Sequence, residues 1–198
     1  MSGPPPCPLA EVVEAVRTPQ SPRALAETLA AGHVQATGEA PTLNLLAYGW
    51  AVVNHETAET RSMWNHNAGN IICTSTWKGD AINLNAGAGQ PAWYRGYSSA
   101  LAGAAAFWRL LYAKRYRGTV TLANAGAFGE AAREMGAAGY YTAPQDLYAG
   151  RVIHYVEKFK ECCEDREPKG WTSALAPLIA TGAALGTVSL LAAYTGTR

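Results

Sequence analysis

The chain has 198 residues, of which 48% are hydrophobic, enough to bury one ordinary core. Its formal net charge is +1 and only 16% of its residues are charged, which argues against a protein that binds nucleic acid through its phosphates. A neutral or weakly acidic polymer, read by amide groups and aromatic rings, fits this composition better.

In chain order, residues 1–20 open with Pro4-Pro5-Pro6 and read as a mobile or helical arm. Ser21-Pro22 before Arg23–Ala31 and Gly32 predicts the first helix, with an N-cap, a proline in its first turn and a closing glycine. Thr42 caps a second helix, in which Leu45, Leu46, Gly49, Val52 and Val53 recur at helical spacing. Glu56 falls on that face, four residues after Val52, so its carboxyl is expected to point into the fold. Burial there disfavours the anion, keeping the group protonated and able to donate to a glycosidic oxygen. Gly49, on the same face, is expected to leave room for a ligand.

Residues 71–97 are rich in Gly, Asn and Thr without helical period, and predict a loop or small hairpin. Further helices are predicted from Ser98 or Ser99 through Tyr116 to Gly118, over Phe128–Met135, and over Pro144–Glu164. The run 165–171 reads as a charged linker. From Thr172 to Tyr194 there is no charge, a length that can span a bilayer, with Gly182 and Gly186 in close-packing spacing. The architecture expected is all-α: a helical domain over 21–164, followed by a hydrophobic transmembrane candidate over 172–194.

Cys7, Cys73, Cys162 and Cys163 show no C-x-x-C spacing, and His33, His55, His66 and His154 are not paired as ligands. No metal and no cofactor are expected, and the cysteines read as thiols of a reducing cytosol. His55 and His66 flank Glu56, where either could tune it or bind substrate. Glu59 and Asp80 are the candidates for a second carboxylate.

Four segments in order carry a family resemblance. Glu56 ends a helix; Trp64-Asn65-His66-Asn67-Ala68-Gly69-Asn70-Ile71 follows as a turn; then come Tyr94-Arg95-Gly96-Tyr97-Ser98-Ser99 and Gly139-Tyr140-Tyr141-Thr142-Ala143-Pro144. This series resembles the lysozyme-like glucosaminidases and lytic transglycosylases, bacterial and phage enzymes that cut the glycan strands of peptidoglycan. The likeness runs from about Leu43 to Phe159. It departs at Ala143, where the family has Asp, at Gly69-Asn70-Ile71 in place of Phe-Gly-Ile, and in the longer spacing from Pro144 to Tyr148.

The resemblance implies a lysozyme-like fold with Glu56 as catalytic acid and Tyr140 facing it across a groove. Asn67, Gly69, Asn70, Ile71, Trp77, Tyr97 and Tyr141 are implied as substrate-binding residues. The partner expected is peptidoglycan, cleaved as by a glucosaminidase, muramidase or lytic transglycosylase. The tail adds a possible membrane, and virion or homo-oligomer contacts are also possible. The N-terminus lacks a basic region followed by an apolar core, so no ordinary secretion signal is read. Basic residues before the apolar run would keep the domain cytoplasmic, which points to delivery as a phage virion protein or envelope component. The rival reading is a non-catalytic virion or membrane-channel component that uses a lysozyme-like domain to bind cell wall.

Overall fold

The computed structural model describes residues 7–86 and 90–164. Among these residues six α-helices carry the fold: α1 (Pro22–Thr37), α2 (Leu43–Glu56), α3 (Ala100–Leu111), α4 (Arg117–Asn124), α5 (Phe128–Ala137) and α6 (Gln145–Phe159). Beside them lies a three-stranded sheet in which β1 (Glu11–Val12) runs parallel to β2 (Asp80–Ala86), and β2 pairs antiparallel with β3 (Gln90–Arg95). The expected helical domain and hairpin are therefore both present. The apolar run 172–194 and the linker lie outside the described residues, and among those described no helix is long and apolar enough to cross a membrane.

The helix starts follow from their caps. Ser21 Oγ accepts the Ala24 amide and Thr42 Oγ1 accepts the Leu45 amide, each satisfying a backbone donor that the first turn leaves open. The ends follow packing as much as sequence. Gly32 does not stop α1, which continues to Gly38 in the left-handed conformation (φ 85°). Gly32 instead lets α1 lie directly on Ala104 and Ala105 of α3, where a Cβ would collide with backbone. Gly49 is also not a ligand space: a Cβ there would run into the buried Trp108 ring, which fills the gap and donates from Nε1 to the Leu29 carbonyl at 2.7 Å.

α2 is the centre of the core, with every residue from Leu45 to Asn54 buried, and the other helices pack around it. The helix expected from Ser99 to Gly118 is divided: α3 ends at Leu111, a short 3-10 turn spans Lys114–Tyr116, and α4 starts at Arg117, with Gly118 inside it. The break lets Tyr116 turn inward, where it is buried against the core. The last predicted helix ends at Phe159 as α, and its final turn over Lys160–Glu164 widens to π.

From Cys7 to Gln20 the N-terminal arm is not helical, and it is bound to the sheet. Cys7 and Cys73 form a disulfide, β1 pairs with the start of β2, and the Val16 amide donates to Asn65 Oδ1 at 2.7 Å. Around the disulfide, Ala81, Trp77 and Trp93 make a second small core. Cys162 and Cys163 are also bonded to each other. The reading of four free cytosolic thiols is thus corrected, because chain folding, not spacing, brings Cys7 to Cys73.

The turn that follows α2 meets α3 at a tight contact, where Gly103 of α3 abuts the His66 carbonyl so closely that any Cβ would overlap it. Gly103→Ala is expected to push the 64–67 turn off α3 and destabilise the domain by roughly 1–3 kcal/mol, the range for overpacking a filled site. Thermal denaturation measures this; an unchanged melting temperature would mean the turn moves freely.

Candidate active site

Glu56 is the last residue of α2, and what stops the helix there is unusual. Ala58, Glu59 and Thr60, none of them glycine, all have left-handed backbone, with φ of 49°, 58° and 64°. Such a run is unfavourable unless its surroundings hold it. Here they do: Thr57 Oγ1 donates to the Val53 carbonyl (2.6 Å) and accepts the Thr60 amide (3.1 Å). Thr60 Oγ1 donates to the Gln20 carbonyl (2.8 Å) and accepts the Gln20 amide (3.0 Å). The arm and the helix end therefore fix each other, and Glu56 is held at their junction.

The half-buried Glu56 carboxylate accepts a 2.7 Å hydrogen bond from the Tyr148 hydroxyl, on α6. Burial raises the Glu56 pKa above the ordinary carboxylate value, while hydrogen bonds from Tyr148 and Asn70 partly oppose the shift. Tyr148 is itself fixed on two sides. Tyr141 stacks on its ring at 3.6 Å and 7°, and His55 meets it edge-on at 4.6 Å. His55 has its pKa lowered by burial and by the Arg151 charge, so it tends to present a neutral ring there.

The turn after Glu56 is built by Asn67. Its buried side chain accepts the Ile71 amide (2.8 Å) and donates to the Ile71 and Arg95 carbonyls (3.0 Å each). Every one of those groups is occupied, so Asn67 shapes the site without being open to a ligand, and the buried Ile71 likewise belongs to the frame. Asn70, at φ 46°, donates from its amide to the Glu56 carbonyl, tying the turn to the helix end. At Gly69 a Cβ would lie 2.8 Å from Phe107 Cδ2 and 3.1 Å from the Tyr140 hydroxyl, so only glycine fits.

Tyr140 sits on the opposite side of that turn and donates to the Gly69 carbonyl at 3.0 Å. Burial, with Glu56's charge adding to it, pushes its pKa well above the ordinary tyrosine value. Tyr140 is therefore a neighbour of the glutamate, but the hydroxyl in contact with the carboxylate is that of Tyr148. Sequence reasoning passed over Tyr148 because it noted the residue only as a spacing departure after Pro144. The usable signal was its position near the start of α6, with Ala149, Val152 and Val156 marking the inward face.

Two other expected ligand contacts are committed elsewhere. Tyr141 donates to the Ala132 carbonyl at 2.8 Å and packs on Tyr148, so it supports the site from behind. Trp77 has the Arg95 guanidinium 4.6 Å above its ring, Gly79 packed close against its six-membered ring, and an Nε1 bond to the Asp80 carbonyl, which leaves little ring face for a sugar. Tyr97 meets Trp77 edge-on at 5.6 Å; its buried hydroxyl makes no hydrogen bond of normal geometry among the described residues, with the Arg95 guanidinium near it. Glu59 points away from the site. It pairs with Lys158 at 2.8 Å and Arg61 at 3.1 Å, and lines a separate cavity of about 340 Å³ with Trp50, Asn54 and Tyr155.

A domain of packed helices with a small sheet beside them is a fold that solved structures share. The chain is similar to the glycoside hydrolase domain of Salmonella typhimurium FlgJ, with a TM-score of 0.52 and 21% identity, over 78% of this chain and 95% of that one. It is also similar to a C-terminally truncated form of the same domain, with a TM-score of 0.50 and 20% identity, over 71% and 98% of the two chains. No family model matches the sequence, and no curated protein does. The likeness establishes the fold.

Proposed function

We propose that this protein is a peptidoglycan hydrolase that cleaves glycan strands, with Glu56 as the general acid. The observation that carries the reading is the Glu56 carboxyl itself, lifted by burial toward the protonated form and aimed by Tyr148. A wall-binding module has no need of a poorly solvated carboxyl, whereas a proton donor does. The fold shared with a glycoside hydrolase domain supports the same reading. In this proposal the Asn67–Ile71 turn frames one wall of the site, and Tyr140 holds that turn in place.

The setting proposed is the bacterial envelope, or a phage virion that reaches it, since that is where the substrate lies. The Cys7–Cys73 disulfide suits an oxidising location of this kind. The test is mass spectrometry of muropeptides released from purified cell wall: new glycan ends are expected, and intact strands after prolonged incubation would reject the proposal.

Tyr148 gives a second check. Its hydroxyl favours the ionised form of Glu56, so Tyr148→Phe is expected to raise the Glu56 pKa further. The alkaline limb of the rate profile should then move to higher pH, while turnover drops because the carboxyl is no longer aimed. An unshifted limb would separate Tyr148 from the acid.

A further inference from the structure

We propose that the face of α6 running from Arg151 to the cavity beside Asn54 binds the peptide stem of the strand that Glu56 cuts, with Arg151 pairing to a stem carboxylate. This inference rests on the function proposed above and adds to it a recognition site beyond the sugars.

The face begins at the acid. Tyr148, Arg151, Tyr155 and Lys158 follow one another at helical intervals along α6, so their side chains share one stripe. The end of α2 lies along that stripe in the opposite sense. Glu56 meets Tyr148, His55 meets the rings of both Tyr148 (4.6 Å) and Tyr155 (6.4 Å), and Trp50 meets Phe159. Lys158 Nζ lies 5.3 Å over the Tyr155 ring and pairs with Glu59 at 2.8 Å. There the cavity of about 340 Å³ opens between Tyr155, Trp50, Asn54 and Gln20. From Arg151 to Lys158 the helix rises about 10 Å, the reach of about three residues of extended chain.

Two groups on this face lack partners, and they differ in kind. Arg151 is exposed and makes no ion pair or hydrogen bond among the described residues, whereas Arg133, Lys158 and Lys160 near it are all paired. The His55 pKa is lowered by burial and then by the Arg151 charge, so the guanidinium lies close to the ring of the residue that precedes the acid. Asn54 is only 3% exposed. Its Nδ2 donates to the Trp50 carbonyl at 2.8 Å, and its Oδ1 accepts from no donor among the described residues. Because Asn54 lines the cavity, a ligand entering there satisfies that oxygen by donating an N–H.

An unpaired guanidinium and an open carbonyl oxygen on one groove suit a ligand that carries both a carboxylate and N–H donors. A bare glycan strand offers acetamido N–H groups and, at its lactyl groups alone, a carboxylate. The stem peptides of peptidoglycan carry free carboxylates and a backbone N–H at each residue. The planar fork of Arg151 matches a carboxylate, and at the far end Lys158, Glu59 and Glu161 present both signs of charge to the charged groups of a peptide. Since the stripe starts at Tyr148, which touches the acid, a stem bound along it holds its own sugar near Glu56. The contribution is to substrate binding and not to the chemical step.

The experiment measures KM and kcat of the full chain on cell wall that keeps its stem peptides and on the same wall after an amidase has removed them. On stem-bearing strands Arg151→Gln is expected to raise KM by about tenfold, the loss of one charged hydrogen bond. Its kcat should stay within about twofold and its melting temperature should not change, because the side chain is exposed. Arg151→Lys should recover part of the loss. On denuded strands, parent and Arg151→Gln should share the same raised KM. Equal KM for the parent on both walls, or no effect of Arg151→Gln, would overturn the inference. A loss as large on denuded strands as on intact ones would give Arg151 to the lactyl carboxylate, which also overturns the peptide reading. Calorimetry with a soluble disaccharide-peptide and with the same disaccharide lacking its peptide needs no turnover. The peptide-bearing form should bind the parent more tightly, and Arg151→Gln should lose about tenfold of that advantage. If the parent shows this preference and yet cuts no strand, the site stands and the hydrolase reading fails.

Discussion

Glu56→Gln is expected to lower the rate of wall cleavage by at least about 10²–10⁴-fold, the range for loss of a general acid. The amide keeps the volume of the side chain and an oxygen that can accept from Tyr148, so the fold should survive. The pH behaviour gives an independent sign. Burial raises the native pKa of Glu56 above that of the unfolded chain, so the native state binds this proton more tightly. The stability that Glu56 contributes is therefore full at pH below its unfolded pKa and is lost as pH rises through the native one. The amide cannot ionise. Glu56→Gln should thus match the parent's melting temperature in acid and exceed it once pH passes the raised native value, while activity is absent throughout. A general acid must be protonated, so parent activity should fall over the same alkaline interval. Equal cleavage by mutant and parent in a turbidity assay would remove Glu56 from the mechanism.

Breaking the Cys7–Cys73 disulfide is the other change with a large expected effect. The bond joins residues 66 apart in sequence, and closing a loop of that size in the unfolded chain is worth about 4 kcal/mol in the chain-entropy model, with 2–4 kcal/mol typical in practice. Cys7→Ser with Cys73→Ser should lower the melting temperature by about 4–16 °C for a domain of this size. The loss should reach the active site as well, because the arm that Cys7 anchors goes on to bond Asn65 through the Val16 amide and Thr60 through Gln20. Activity should therefore fall at temperatures well below global unfolding. A variant as stable and as active as the parent would show that the β1 pairing alone secures the arm.

The helix caps and the apolar spacing of α2 were legible because they are local. Thr42 and Ser21 cap whatever helix follows them, and the period from Leu45 to Val53 places Glu56 on an inward face whatever surrounds it. The identity of the Glu56 partner was not local. Tyr148 lies 92 residues away, and its contact depends on α6 packing against α2 and on Tyr141 stacking behind it. Asn67, Trp77 and Tyr141 look like ligand contacts in sequence, since amides and rings do bind sugars, but each of them is used by the frame. Composition does not distinguish a polar group facing a ligand from one facing a backbone carbonyl.

The sequence by itself determined an all-helical domain with a small hairpin, the start of α2, and a glutamate placed where it would lose solvent. Those features follow from side-chain periodicity and from the bonding needs of a helix terminus, which involve only a few neighbouring residues. Tertiary structure alone decided that Cys7 meets Cys73, that the left-handed run at Ala58–Thr60 is tolerable, and that Tyr148 holds the acid. Each of these depends on groups distant in the chain: an unfavourable backbone, a crosslink and a buried carboxyl become favourable only when folding supplies their partners.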